Sequence, residues 1–185
     1  MSEKKLCPNP DDIEKFLNLI TQQWRGKRAE NCLLEVRCLG ENKKPLSQKF
    51  SYKKIPDAVE FAKAKNDQKY NVYSTVNPIN PNVEKNARDE NVSLAFFSFA
   101  DADDLAGVEA LKKFCESQKP DFVVITGNTP HLRAHTYWRL DQPCADMEVW
   151  RETQQRLASN FKTDPSVINP SRIMRVPGTI SYPSG

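Results

Sequence analysis

The stretch AFFSFADADDL, residues 95–105, decides how the second half of this chain is read. An apolar run ends in three closely spaced aspartates, Asp101, Asp103 and Asp104. In a strand, residues i and i+2 share a face, so Asp101 and Asp103 project together while Ala100 and Ala102 face the other way. Two carboxylates held side by side repel unless a cation lies between them or one takes a proton. Asp104 precedes LAGVEALKKFCESQ, a helical pattern with Leu105, Val108, Leu111 and Cys115 down one face, and reads as its N-cap. The plainer alternative makes all three acids a polar strand end and a cap. Asp-x-Asp alone does not separate the two readings.

Working outward, Pro120 resets the chain before the strand DFVVIT, GNTP is a turn, and LRAHTYWRL is a strand broken at DQPC. DMEVWRETQQRLASNF is a helix with Trp150, Leu157 and Phe161 on its apolar face, and SRIMRVPG is a last strand. The order β-α-β-β-α-β is the split βαβ arrangement. Right-handed crossovers then place both helices on one face of an antiparallel sheet, with the first strand central between the third and the fourth. The end of the first strand therefore meets the starts of its two neighbours. This gathers Asp101, Asp103, His135 and Asp164 at one sheet edge, with Arg133 alternating onto the face of His135.

Upstream, NPDDIEKFLNLITQQW reads as a helix: Asn9 caps it, Pro10 fits its first position, and Asp11 and Asp12 favour its positive end. Ile13, Phe16, Leu17, Ile20 and Trp24 form its core face. The strand CLLEVRCLG, the helix IPDAVEFAKAKN and the strand YNVYSTVNP follow, with possible extra pairing at QKFSYK. NPINPNVEKNARDEN, with two Asn-Pro pairs, is a loop and the best module boundary. The expected fold is α+β: an N-terminal α/β module over residues 1–85, packed on an RRM-like catalytic module over 86–185.

The composition fits an ordered globular chain: 185 residues, 38% hydrophobic and 28% charged. A net charge of +3 permits nucleic acid as a partner without arguing for it. Lys43, Lys44, Lys49, Lys53 and Lys54 form a local basic run, which a solvated face also explains. The five cysteines are odd in number and none are spaced C-x-x-C, as in a reduced, cytosolic protein without structural zinc. No apolar run approaches the ~18 residues of a membrane span, and MSEKKLCPNPDD lacks a signal core. The expected location is the cytoplasm.

Paired carboxylates suit Mg²⁺ or Mn²⁺, which keep open positions for water and phosphate oxygens. Asp164 as a third carboxylate would complete a two-metal site for phosphoryl transfer. His131 and His135 are spaced i, i+4, which suits zinc on a helix but not on a turn and a strand. Beside metal-bound phosphates, His135 and Arg133 could donate to triphosphate oxygens. Arg172 and Arg175 face opposite ways on a strand; Arg175, next to the Val-Pro-Gly turn, is favoured as the phosphate or template contact.

Taken together, FADAD, TGNTPHLRAHTYWRL and KTDPSVINPSRIMRVPGTI resemble the three-motif series of the archaeo-eukaryotic primase superfamily, above all its plasmid- and phage-type primase–polymerases. Asp101 and Asp103 match the first motif, Arg133-Ala134-His135 the second, Asp164 the third, and RVPG the turn that often follows. The resemblance runs from about Asn31 to the end. Arg133 stands where the family usually has Ser, and Lys162-Thr163 precede Asp164 where an apolar residue is usual. A lysine often found after the Pro-Gly turn is missing, as in a catalytic domain excised from a longer protein.

The resemblance implies a nucleotidyltransferase that makes, or both makes and extends, primers on single-stranded DNA. Asp101, Asp103 and Asp164 would hold two Mg²⁺ or Mn²⁺ ions, and His135 with Arg133 the NTP or dNTP triphosphate. Arg172 or Arg175 and the lysine run would meet template or primer phosphates, and a helicase or C-terminal domain would be the partner. Two rivals stand beside it. One is a replication-initiation nickase using His131, His135 and Tyr137. The other is a non-catalytic single-stranded DNA-binding module.

Overall fold

The structure is a computed structural model that describes residues 6–24 and 29–182. Residues 1–5, where the expected absence of a signal core partly falls, lie outside the described residues, as do 25–28 and 183–185. The chain divides into two compact units, Met1–Asn86 with Ile173–Gly185, and Ala87–Arg172.

In the first unit, helix α1 spans Pro10–Thr21 and starts as its sequence dictates. Asn9 Oδ1 accepts from Asp11 N at 3.1 Å, Pro10 takes the first turn, and Ile13, Phe16, Leu17 and Ile20 are buried. Strand β1 (Leu33–Leu39) pairs antiparallel with β2 (Leu46–Ser51), the extra pairing in QKFSYK. Helix α2 (Ile55–Asp67) leads to β3 (Asn71–Thr75), which pairs on the other side of β1. Leu34, Val36 and Cys38 alternate into the core, and burial pushes the Cys38 thiol up to about 12. Cys32, Cys38, Cys115 and Cys144 are free thiols. No helix among the described residues is long and apolar enough to cross a membrane.

In the second unit, β4 (Ala95–Ala102) is buried along its whole length. Asp104 Oδ1 accepts from Gly107 N at 2.7 Å and caps helix α3 (Leu105–Ser117). Strand β5 (Phe122–Gly127), strand β6 (Arg133–Cys144) and helix α4 (Met147–Phe161) follow. The sheet order is β4-β6-β5, antiparallel throughout. Ala100 and Ala102 face a core built by Val108 and Leu111 of α3 and Phe161 of α4, with Phe114, Trp138 and Leu157 against it. The expected break at DQPC does not occur. The pairing jumps from Phe97↔Arg139 to Ala95↔Cys144, and this irregularity absorbs Pro143, whose missing N–H has no regular ladder bond to make.

The last strand corrects the expected sheet. Strand β7 (Ile173–Arg175) does not flank β4; it pairs antiparallel with β3, completing the order β2-β1-β3-β7. Two groups of contacts explain the choice. The β4 edge expected to receive it is already occupied. Trp150 Nε1 donates to Phe97 O at 2.9 Å, and Gln154 binds both ends of Phe99, with Nε2 donating to O at 2.8 Å and Oε1 accepting from N at 3.2 Å. Asp164 N donates to Asp101 O at 3.1 Å. On the first unit, buried amides capture the segment after β7. Asn66 brackets Ile180 at 2.7 and 2.8 Å, and Asn71 brackets Tyr182 at 2.9 Å on both its N–H and its carbonyl.

Gly178 adds a steric requirement. It has φ of +77°, and a Cβ there would lie 2.6 Å from Asn9 O and 2.8 Å from Asp12 Cβ. Gly178→Ala is therefore expected to destabilise the fold by about 1–3 kcal/mol. A urea unfolding curve with no loss of midpoint would contradict this.

Candidate active site

The face of the β4-β6-β5 sheet opposite the alanines is laid out in cross-strand rows. Phe99, Tyr137 and Phe122 form one row, and Asp101, His135 and Val124 form the next, toward the end of β4. Asp101 and His135 are direct register partners, so the pleat turns them to the same side. His135 Nε2 stands 3.4 Å from Asp101 Oδ1, and both residues are buried. Asp101 Oδ1 nonetheless makes no hydrogen bond.

Asp103 lies one residue past β4 and is exposed. Burial raises its pKa, and the charge of Asp101 raises it further. His135 and Arg133 oppose the shift, and Asp164 adds to it. Four groups of the same unit thus act electrostatically on the Asp103 carboxyl. For an acid whose pKa is raised on folding, the folded state holds the proton more tightly. Its contribution to stability falls as pH rises from the ordinary carboxylate range through the raised value. Asp103→Asn is expected to melt higher than wild type at neutral pH in a chelator. The difference should vanish below about pH 3, where both forms are neutral. An equal or lower melting temperature at neutral pH would contradict the repulsion.

Asp164 is delivered by the loop after α4, where Lys162 closes the helix with φ of +52° and Asp164 N bonds Asp101 O. Its carboxylate accepts from Ser166 N and Ser166 Oγ, each at 2.8 Å, and from Arg172 Nη2 at 3.3 Å. Burial works against its ionisation. The Ser166 bonds and the Arg172 charge outweigh that and hold its pKa below the usual value. Ser166 was not anticipated, although Asp-Pro-Ser is a turn in which an aspartate accepts from the N–H two residues on.

Arg133 pairs with Gly127 across the β5–β6 bulge, and its Nε is buried without a hydrogen bond. The guanidinium lies across Gly127, where a Cβ would sit 2.8 Å from both Cζ and Nε. A side chain at residue 127 would therefore displace Arg133, a constraint that the turn-like GNTP conceals. Arg172 meets Asp164, whereas Arg175 belongs to β7 in the other unit. There it donates to Asn71 Oδ1 and Tyr73 OH, each at 3.0 Å.

The two histidines turn their Nε2 atoms to different partners. His131 Nε2 faces Asp103 O at 2.8 Å, while His135 faces Asp101. Tyr137 is fully buried, and burial with the nearby Asp101 charge raises the pKa of its hydroxyl well above the usual value. Among the described residues, no group of three or more His, Cys, Asp or Glu is disposed to hold a metal ion. The donor chemistry fits a hard cation bound through fewer protein ligands. Asp101 has an orphaned buried oxygen, Asp103 is repelled by it, and Mg²⁺ is commonly held by one or two carboxylates with water and phosphate oxygens completing the shell.

This α+β chain with two antiparallel sheets shares its fold with solved primase and primase-polymerase domains. Among solved structures it is similar to the AEP domain of the cyanophage S-2L primase-polymerase. The TM-score is 0.65 at 21% identity, over 92% of this chain and 83% of that one. It is also similar to the primase RepB', with a TM-score of 0.56 at 17% identity, where 89% of this chain matches half of the other. The catalytic domain of RepB' in complex with initiator DNA matches with a TM-score of 0.53, at 17% identity over 88% of this chain and 76% of that one. No protein-family model and no curated protein matches the sequence.

Proposed function

We propose that the chain is the catalytic domain of a DNA primase, or primase–polymerase, that joins nucleotides on a single-stranded DNA template. The observation that carries this is the orphaned, buried Oδ1 of Asp101 in register with His135, with Asp103 and Asp164 in the same electrostatic cluster. The neighbours described as a primase-polymerase and as a primase with initiator DNA support the same reading.

In this reading Asp101 and Asp103 are the metal-facing carboxylates, and Asp164, tied here to Ser166 and Arg172, would join them in a two-ion site only by giving up those bonds. Bound Mg²⁺ or Mn²⁺ supplies Lewis-acid stabilisation of the attacking and leaving oxygens. His135 Nε2 and the Arg133 guanidinium donate to triphosphate oxygens, with Arg133 serving as a charged bidentate contact. Arg172 screens Asp164 from the other acids. Arg175 and the lysine run of residues 43–54 meet template or primer phosphates, so binding weakens steeply with salt. A helicase is the protein partner this reading gives it, in replication of plasmid or phage type.

The direct test supplies single-stranded templates, labelled NTPs or dNTPs, and Mn²⁺ or Mg²⁺, with no primer. Metal-dependent products are expected. Salt-sensitive DNA binding without any incorporation, with or without a primer, would overturn the enzyme reading and leave a DNA-binding module.

A further inference from the structure

His135 has a fully buried neighbour that the proposed chemistry does not use. Tyr137 lies two residues on along β6, on the same face, with its hydroxyl oxygen 3.3 Å from His135 Nδ1. Its ring is stacked on Phe122 at 4.5 Å and 18° and lies 6.4 Å from Phe99, so the phenol is clamped within its row. On the other side of the imidazole, Nε2 faces Asp101 Oδ1 at 3.4 Å.

We infer that Tyr137 is a positioning residue for His135: its hydroxyl donates to Nδ1 and keeps the proton on Nε2, the nitrogen turned toward Asp101. An ionised carboxylate only accepts, so a bare Nε2 lone pair facing it would be repelled, and the proton belongs on Nε2. In the neutral ring Nδ1 is then a lone pair inside a buried row, and it requires a donor. The Tyr137 hydroxyl, 3.3 Å away, is a donor within reach. This makes His135 an N–H donor without needing a positive charge, and it presents that N–H on the side where an incoming phosphate oxygen would compete with Asp101. The opposite tautomer would offer a lone pair to both anions. The catalytic consequence rests on the proposed reading of His135 as a triphosphate contact; the tautomer itself does not.

The chain has two histidines, so a long-range ¹H–¹⁵N spectrum resolves both rings. In a pH series, the neutral form of His135 is expected to show a protonated Nε2 and a hydrogen-bonded, bare Nδ1. Tyr137→Phe, which keeps the stacked ring, is expected to give His135 a mixture of tautomers. A protonated Nδ1 in the wild type, or an unchanged His135 spectrum in Tyr137→Phe, would overturn the inference. In incorporation assays Tyr137→Phe is expected to raise the nucleotide KM about tenfold, with a smaller change in kcat. It should have no further effect in a His135→Ala background. An equal loss in that background would show that Tyr137 acts on the fold and not through His135. The spectra decide the tautomer whether or not the chain incorporates nucleotides, so this inference and the functional reading fail separately.

Discussion

Replacing Asp101 and Asp103 together with asparagine is expected to reduce metal-dependent nucleotide incorporation by about 10³-fold or more while leaving the domain folded. The loss follows from the donor set. Asp101 carries the orphaned buried oxygen, and Asp103 is the carboxylate it repels. Asparagine keeps the shape of both side chains and removes the charge that would hold a cation. Folding should survive because neither carboxylate anchors the sheet. The β4 edge is held through the Asp101 backbone carbonyl, which the substitution leaves in place. Removing the Asp101–Asp103 repulsion should if anything raise the melting temperature in a chelator. Labelled-nucleotide incorporation with circular dichroism of the same preparation checks both halves. Activity near wild type in a folded double variant would sink the site assignment.

The largest expected effect on stability is at Trp150. Trp150→Ala should cost about 3–5 kcal/mol, the range for truncating a buried aromatic ring. The residue is 2% exposed, its ring centroid lies 5.6 Å from that of Phe99, and its indole N–H is one of the bonds that close the free edge of β4. Trp150→Phe should cost less, because it keeps most of the packing and loses mainly the bond from the indole N–H to Phe97 O. Urea denaturation separates the two. Equal midpoints for Trp150→Ala and wild type would show that α4 does not seal the strand.

That edge is where sequence and structure part. Periodicity identified the helices from α1 to α4 and the longer strands, because an apolar face must recur at helical or strand spacing to be buried. The split βαβ order also placed β4 beside β6. From that alone Asp101 came to the same sheet edge as His135, since antiparallel neighbours bring the end of one strand to the start of the next. Asp104 could be told from its two neighbours because a cap must sit just ahead of an apolar helical repeat.

The three residues of β7 were of another kind. A strand that short carries no pattern to say which sheet edge it joins, and its bonds are backbone bonds that any residue can make. Its place depends on side chains far away in sequence: Trp150 and Gln154 closing one edge, Asn66 and Asn71 opening a berth at the other. Nothing local marks those amides as backbone partners. The same holds for Arg172 and Arg175, three residues apart and alike in chemistry, which end on different units.

The sequence by itself determined the elements, the acid pair and its histidine partner, because alternation and crossover handedness act on neighbouring residues and strands. Only the tertiary structure decided the final strand, the Ser166 and Arg172 anchors of Asp164 and the Tyr137 hydroxyl beneath His135. Each of these depends on which buried polar group finds which partner, and that choice is made only when the chain is packed.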